Sequence, residues 1–125
     1  MASEDIFQGA SEELKLVIKD QSGTAINITA LDVSFTVLLL EKMSSIVAKW
    51  KYPTTAGFGA IEVFSVQTGE YIIRLNASQT SSFKSGNCLI EFKLVEPNDD
   101  FESNQQVTIQ RVEFGNIKET SINQV

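Results

Sequence analysis

The chain has no histidine. That removes the usual general base, the commonest metal ligand and the side chain that titrates near neutrality. Ser-His-Asp and Cys-His catalysis within the chain are excluded, and so are ordinary zinc sites, which need several Cys or His. A single cysteine, Cys88, excludes an intrachain disulfide. Basic residues are scarce, 10 Lys and Arg against 16 Asp and Glu, for a net charge of -6. No Lys/Arg run exists to neutralise phosphates, so nucleic-acid and anionic-membrane partners are not expected. Met1-Ala-Ser-Glu-Asp-Ile has neither a basic nor an apolar segment of a signal peptide. The apolar runs, such as Val37 to Leu40, are too short to span a bilayer. The product is therefore expected in the cytoplasm of the cell that makes it, unless released by lysis or within a particle.

At 125 residues the chain reads as one domain, with roughly two-thirds of the unfolded surface available for burial. The organising stretch is Leu14 to Ile28. Leu14, Leu16 and Ile18 alternate with Lys15, Val17 and Lys19, the pattern of a half-buried strand. Asp20-Gln-Ser-Gly23 is a turn, since Asp bonds its own backbone and Gly accepts a positive φ. Ile26 and Ile28 predict a short strand leaving it.

Further alternations follow. Val33, Phe35, Val37 and Leu39 share a face, while Leu38 and Leu40 interrupt the polar face and call for cover by a loop or a partner. Ile46, Ala48, Trp50 and Tyr52 share another face. The phase of Trp50 with Ile46 and Ala48 points to the core; exposed, it would be a sugar platform. Pro53 ends that strand. In Thr54–Ala60 the glycines Gly57 and Gly59 flank Phe58, which is either tucked against the domain or exposed for contact. Strands are predicted over Ile61–Val66, Tyr71–Leu75 and Cys88–Leu94. Asn76 to Phe83 reads as one helical turn with Phe83 as a plug. Cys88, in the apolar register, reads as a small hydrophobe rather than a nucleophile. Glu96 to Asn104 gathers Glu96, Asp99, Asp100 and Glu102. Calcium is conceivable there, but the spacing is not that of an EF-hand, and a solvated turn is the simpler reading. In Gln105–Phe114, Val107 and Ile109 are out of phase with Val112 and Phe114, which predicts a bulge near Gln110-Arg111 or a strand that changes sheets.

About eight short strands with turn signals every ~10 residues predict an all-β fold, an antiparallel immunoglobulin-like β-sandwich. The expected organisation is an N-terminal arm over 1–11, a sandwich over 12–117 and a C-terminal tail over 118–125. Ile6 and Phe7 either pack on the domain's own edge or anchor the arm to another subunit.

The order Gln8-Gly9-Ala10-Ser11-Glu12, Leu14-Lys-Leu16, Asp20-Gln-Ser-Gly23, Ile26-Asn27-Ile28-Thr29, Phe35-Thr-Val37, Gly69-Glu-Tyr71 and Gly86-Asn-Cys-Leu-Ile90 resembles that of a family of tailed-bacteriophage virion β-sandwich modules. The family includes the N-terminal module of baseplate upper proteins and structural proteins of Bacteroidetes-type phages. Asn76 to Lys84 fits a further step of the pattern, with Phe83 where the family has Leu. Baseplate members continue into a further domain, and this sequence stops after the module. The resemblance implies a non-enzymatic virion structural protein without cofactor or small-molecule substrate. Its partners would be capsid or tail subunits, or itself. A capsid auxiliary (decoration) role leads; a tail or baseplate subunit is the alternative. Candidate contacts are Ile6, Phe7, Leu38, Leu40, Phe58 and Ile117. A reading of another class is a carbohydrate-binding module, which would need Trp50, Tyr52 and Phe58 exposed.

Overall fold

The computed structural model describes residues 4–41 and 45–120. The middle of the turn expected at Glu41–Ser45 and the chain ends, 1–3 and 121–125, lie outside the described residues.

The described strands are β1 (Glu4–Phe7), β2 (Glu12–Val17), β3 (Ser34–Glu41), β4 (Ser45–Tyr52), β5 (Gly59–Ala60), β6 (Glu62–Ser65), β7 (Glu70–Leu75), β8 (Gly86–Pro97) and β9 (Gln105–Lys118). One short helix, α1 (Ala77–Thr80), precedes β8. The strands form two sheets. One has six strands in the order β1-β9-β8-β3-β4-β5, and the other has three in the order β2-β7-β6. The fold is the all-β sandwich that the alternations predict. To its antiparallel pairings the structure adds two short parallel ones, β1 with β9 and β4 with β5.

The core is made by the apolar phase of each long strand. Phe35, Val37 and Leu39 of β3, Ala48 and Trp50 of β4, and Cys88, Ile90 and Leu94 of β8 meet Leu14 and Leu16 of β2 and Tyr71, Ile73 and Leu75 of β7. Trp50 is buried, and its indole N–H donates to the Arg74 carbonyl across the sheets at 3.1 Å. The core reading of Trp50 therefore holds. Phe35 and Phe92 stack with ring centroids 5.7 Å apart.

Local chemistry sets the turns. The Asp20 carboxylate accepts from the Ser22 and Thr24 N–H groups and the Ser22 hydroxyl, and Gly23 has φ +86°. These bonds, the Ser22 hydroxyl first, hold the Asp20 carboxyl below its ordinary pKa. Ile26 and Ile28 form no strand. The Tyr71 hydroxyl holds that segment instead, donating to the Ile26 carbonyl (2.7 Å) and accepting from the Ile28 N–H (3.2 Å). The helical turn at Ala77–Thr80 appears as predicted, with Asn76 and Gln79 in a reciprocal capping box and Phe83 buried behind it.

Three expectations change. Glu4–Phe7, placed in an arm, is a strand of the large sheet, with Ile6 opposite Ile117 and both buried in the core. The Thr80 hydroxyl accepts from the Gly9 N–H and donates to the Ala10 carbonyl, and Gln8 Nε2 donates to the Phe83 carbonyl, so the lead into β2 is tied down. At the far end Lys118, assigned to the tail, still belongs to β9, and Thr120 bonds the Gln8 carbonyl. Second, Ile46 is exposed rather than in the core. The register shifts at Leu39/Leu40, leaving Val47 as an extra residue of β4, which reverses the faces beyond it. Third, β9 has no irregularity at Gln110-Arg111. Pairing with β8 runs unbroken from Gln105 to Glu113, and the bulged residue is Phe114, opposite the Cys88/Leu89 step.

Gly59 lies against the Trp50 ring: a Cβ there would stand 2.6 Å from Trp50 Cδ1. The ring is locked in the core, so Gly59→Ala should cost about 1–3 kcal/mol. Urea unfolding followed by the fluorescence of the sole tryptophan reads this directly, and an unchanged midpoint would contradict the packing.

Candidate interaction surface

The two sheets differ in width, and the surface follows from that. β1 covers the edge of β9 only from Gly115 to Lys118. From Gln105 to Phe114 that edge faces no other described strand. On the inner side, β8 places Ile90, Phe92 and Leu94 opposite Val112, Gln110 and Thr108 of β9. The three-stranded sheet does not extend over this part of β9. A cleft of about 830 Å³ lies there; its lining includes the apolar Ile18, Ile26, Phe35, Phe92 and Leu94, the polar Gln106, Thr108 and Gln110, the charged Lys19, Asp20 and Glu96, and part of Ile109.

The polarity of β9 is thus inverted. Its polar residues turn toward the cleft, and Val107 and Ile109 turn outward, 50% and 64% exposed. They sit beside Val95 and Lys93 of β8, to which they are register partners. The next row outward is ionic, Arg111 with Glu91 at 3.3 Å. From Gln105 to Gln110 the strand carries no charge, proline or glycine.

The other sheet presents a different surface. Arg74 bridges Glu13 (3.2 Å) and Glu62 (3.0 Å), and Lys15 bonds Glu70 (3.2 Å) while its ammonium lies 4.0 Å from the Phe64 ring centre. Bonds from the Thr68 hydroxyl, then Lys15, hold the Glu70 carboxyl below its ordinary pKa, and the bond to Glu62 leads in raising that of Arg74.

The sequence-predicted contacts distribute as follows. Ile6, Leu40 and Ile117 are buried within the chain itself. As surface contacts they are corrected: Ile6 and Ile117 pack on the domain's own edge, and Leu40 lies between Leu89 and Ile46 in the sheet. Leu38 is half-buried, flanked in register by Lys49 and Glu91. Phe7 is exposed at the end of β1. Phe58 is half-buried beneath two ammoniums, with Lys49 Nζ 4.8 Å and Lys51 Nζ 5.8 Å from its ring centre. The structure does not gather these residues into one site.

Sequence reasoning missed Val107 and Ile109 as surface. Their alternation was visible, but alternation names two faces without saying which is inner. The available signal was the phase of Cys88, Ile90, Phe92 and Leu94 carried across the Pro97–Gln105 hairpin. Burial of Trp50 takes away the aromatic platform that a carbohydrate-binding reading needs. In the Glu96–Asn104 loop the Asn98 side chain accepts from the Asp100 N–H and donates to Gln106, and Asn104 has φ 58°. Among the described residues no three His, Cys, Asp or Glu side chains converge as a metal-binding group. Comparison of the chain with family models, with curated proteins and with solved structures finds no match.

Two expectations follow. Ile109→Lys should change stability by no more than about 0.5 kcal/mol, whereas Leu94→Ala, across the same strand pair but inward, should cost about 2–5 kcal/mol. Equal losses in urea unfolding would mean that the faces of β9 are misassigned. The Cys88 thiol is pushed up to about 11 by burial, against the opposing bond from Gly115. It should resist disulfide-exchange reagents in the folded protein at pH 8 and react once unfolded. Because the folded value exceeds the ordinary 9.0, its contribution to stability is complete below pH 9 and is lost as pH rises toward 11. Thiol titration with and without denaturant, together with urea midpoints over that range, checks both.

Proposed function

We propose that this chain is a non-enzymatic assembly subunit that binds other protein subunits through the open edge of β9 and the apolar corner beside it. The observation that carries the reading is the uncharged stretch Gln105–Gln110, an edge that pairs with no other strand among the described residues and whose apolar residues face outward. A sheet edge of this kind is a template for an added strand: main-chain bonds supply affinity, and the alternating side chains supply selectivity. Contact over the small sheet would have to desolvate the ion pairs of Arg74 and Lys15, whereas the Gln105–Gln110 edge itself carries no charge.

The motif residues of the opening strand, the Asp20 turn and the Gly69-Glu-Tyr71 strand support the more specific reading of a bacteriophage virion structural protein. In that setting a capsid auxiliary role fits best. Each copy would add modest contacts to a repeating lattice, and repetition would supply the strength.

Quantitative mass spectrometry of particles purified from cultures that make this chain tests the proposal. A copy number on the order of hundreds per particle is expected for a capsid lattice. About six to a few dozen would move the assignment to a tail or baseplate ring. Absence from particles would overturn the virion reading.

A further inference from the structure

We propose that the open edge of β9 pairs with the same edge of a second copy, in antiparallel register centred on Ile109. The inference rests on the assembly reading above and names the partner of that edge.

Three constraints select the register. Residues directly opposite one another in an antiparallel pair point to the same side of the sheet, so Val107, Ile109 and Arg111 must face outward residues of the partner. β1 occupies the edge from Gly115 onward, and Phe114 is bulged, which limits regular pairing to Gln105–Glu113. Pairing the whole of that stretch with itself puts Ile109 on the two-fold axis. Val107 then faces Arg111 of the second copy, Gln105 faces Glu113, Thr108 faces Gln110 and Gln106 faces Val112.

The chemistry of this register is self-consistent. No like charges are opposed. The Ile109 pair lies at the centre, flanked on each side by Val107 and the aliphatic stem of an Arg111. Thr108 and Gln110 are two hydrogen-bonding side chains brought together on the inner face, where the two clefts join. A same-face shift toward the C-terminus sets Val107 against Glu113 and brings the bulged Phe114 into the ladder, and a shift the other way pairs only Gln105–Arg111 and leaves Val112 and Glu113 unpaired. The other described edges are poorer candidates. β1 has four residues, two of them acidic, β5 has two residues, β6 is short with a register shift at Val63/Ser65, and β2 carries Glu12, Glu13 and Lys15. Short strands, bulges and charges are the devices by which sheet edges refuse partners, and Gln105–Gln110 uses none of them.

The test is site-directed cross-linking of the full chain. At the axis, two Ile109→Cys residues would lie within disulfide reach, with Cα atoms about 4.5–5.5 Å apart. Two Val107→Cys or two Arg111→Cys residues would stand about 13 Å apart along the strands. Mild oxidation should cross-link I109C at least about tenfold faster than V107C or R111C, because only the first pair meets the geometric requirement. A mixture of V107C and R111C should cross-link between copies. Cys88 is buried with its thiol pushed up to about 11, so the introduced thiol reports alone. Sedimentation velocity over a concentration series should show a dimer that Ile109→Pro, which removes an N–H on the open edge, weakens and high salt does not. All these positions are exposed, and an unchanged urea midpoint for the cysteine variants verifies folding.

A dimer without preferential I109C cross-linking would overturn the proposed edge and register. A monomer at every concentration would overturn self-pairing altogether. Neither result touches the assembly reading, which the particle copy number decides separately: a monomeric chain present in particles keeps that reading with a different partner on the edge.

Discussion

The width of the smaller sheet governs this molecule. A sandwich core is only as broad as the narrower of its two layers, and here three strands lie against six. Of those three, β2 and β7 supply the buried side chains, while β6 keeps Val63 and Phe64 at the surface. The large sheet is therefore apolar on its inner face only where β2 and β7 cover it. β3, β4 and β8 meet that condition along most of their length. The first half of β9 does not, and its inner residues are Gln106, Thr108 and Gln110. The polar inner face of β9 is thus what an uncovered position requires, since polar groups left over a wet cleft keep their water.

The outward Val107 and Ile109 do not follow from that constraint. An uncovered strand whose two faces both meet water has no reason to keep β-branched apolar residues on either, beyond their preference for extended backbone. Preference alone would be satisfied by threonine. The absence of charge over the same stretch makes the pattern harder to attribute to strand propensity. The surface of the small sheet shows what this chain does elsewhere with a free face: it lays Arg74 and Lys15 across Glu13, Glu62 and Glu70, and covers Ile72 beneath them.

Much of the interior was legible in the sequence, because period-2 alternation and burial are the same fact seen twice. Leu14-Lys-Leu16, Phe35-Thr-Val37 and Cys88-Leu-Ile90 each predict an inward phase, and the cluster contains each of those inward residues. The Asp20 turn and the Asn76 cap were legible because their hydrogen bonds close within a few residues. What was not legible depends on partners far away in the chain. Ile6 becomes core only by lying beside Ile117, at the opposite end of the sequence. The exposure of Ile46 turns on one extra residue in β4, which no local pattern marks. The face of Val107 and Ile109 depends on the hairpin register with β8. The apparent phase break at Gln110-Arg111 was real as a change in side-chain polarity; the backbone carries through it unbroken.

That break has a physical meaning of its own. Up to Gln110 the strand is polar inward and apolar outward. From Arg111 it reverses, with Arg111 and Glu113 outward and Val112 packed against the core. The reversal marks where the cover of the small sheet begins. β9 is thus one continuous strand serving two environments: a closing half that joins β1 and seals Ile6 and Ile117, and an open half that projects past the core. The closing half completes the core around Ile6 and Ile117. The open half adds backbone whose edge donors and acceptors are met by water in the single chain. In an assembly they would be met by another strand, and the outward valine and isoleucine would then decide which strand fits.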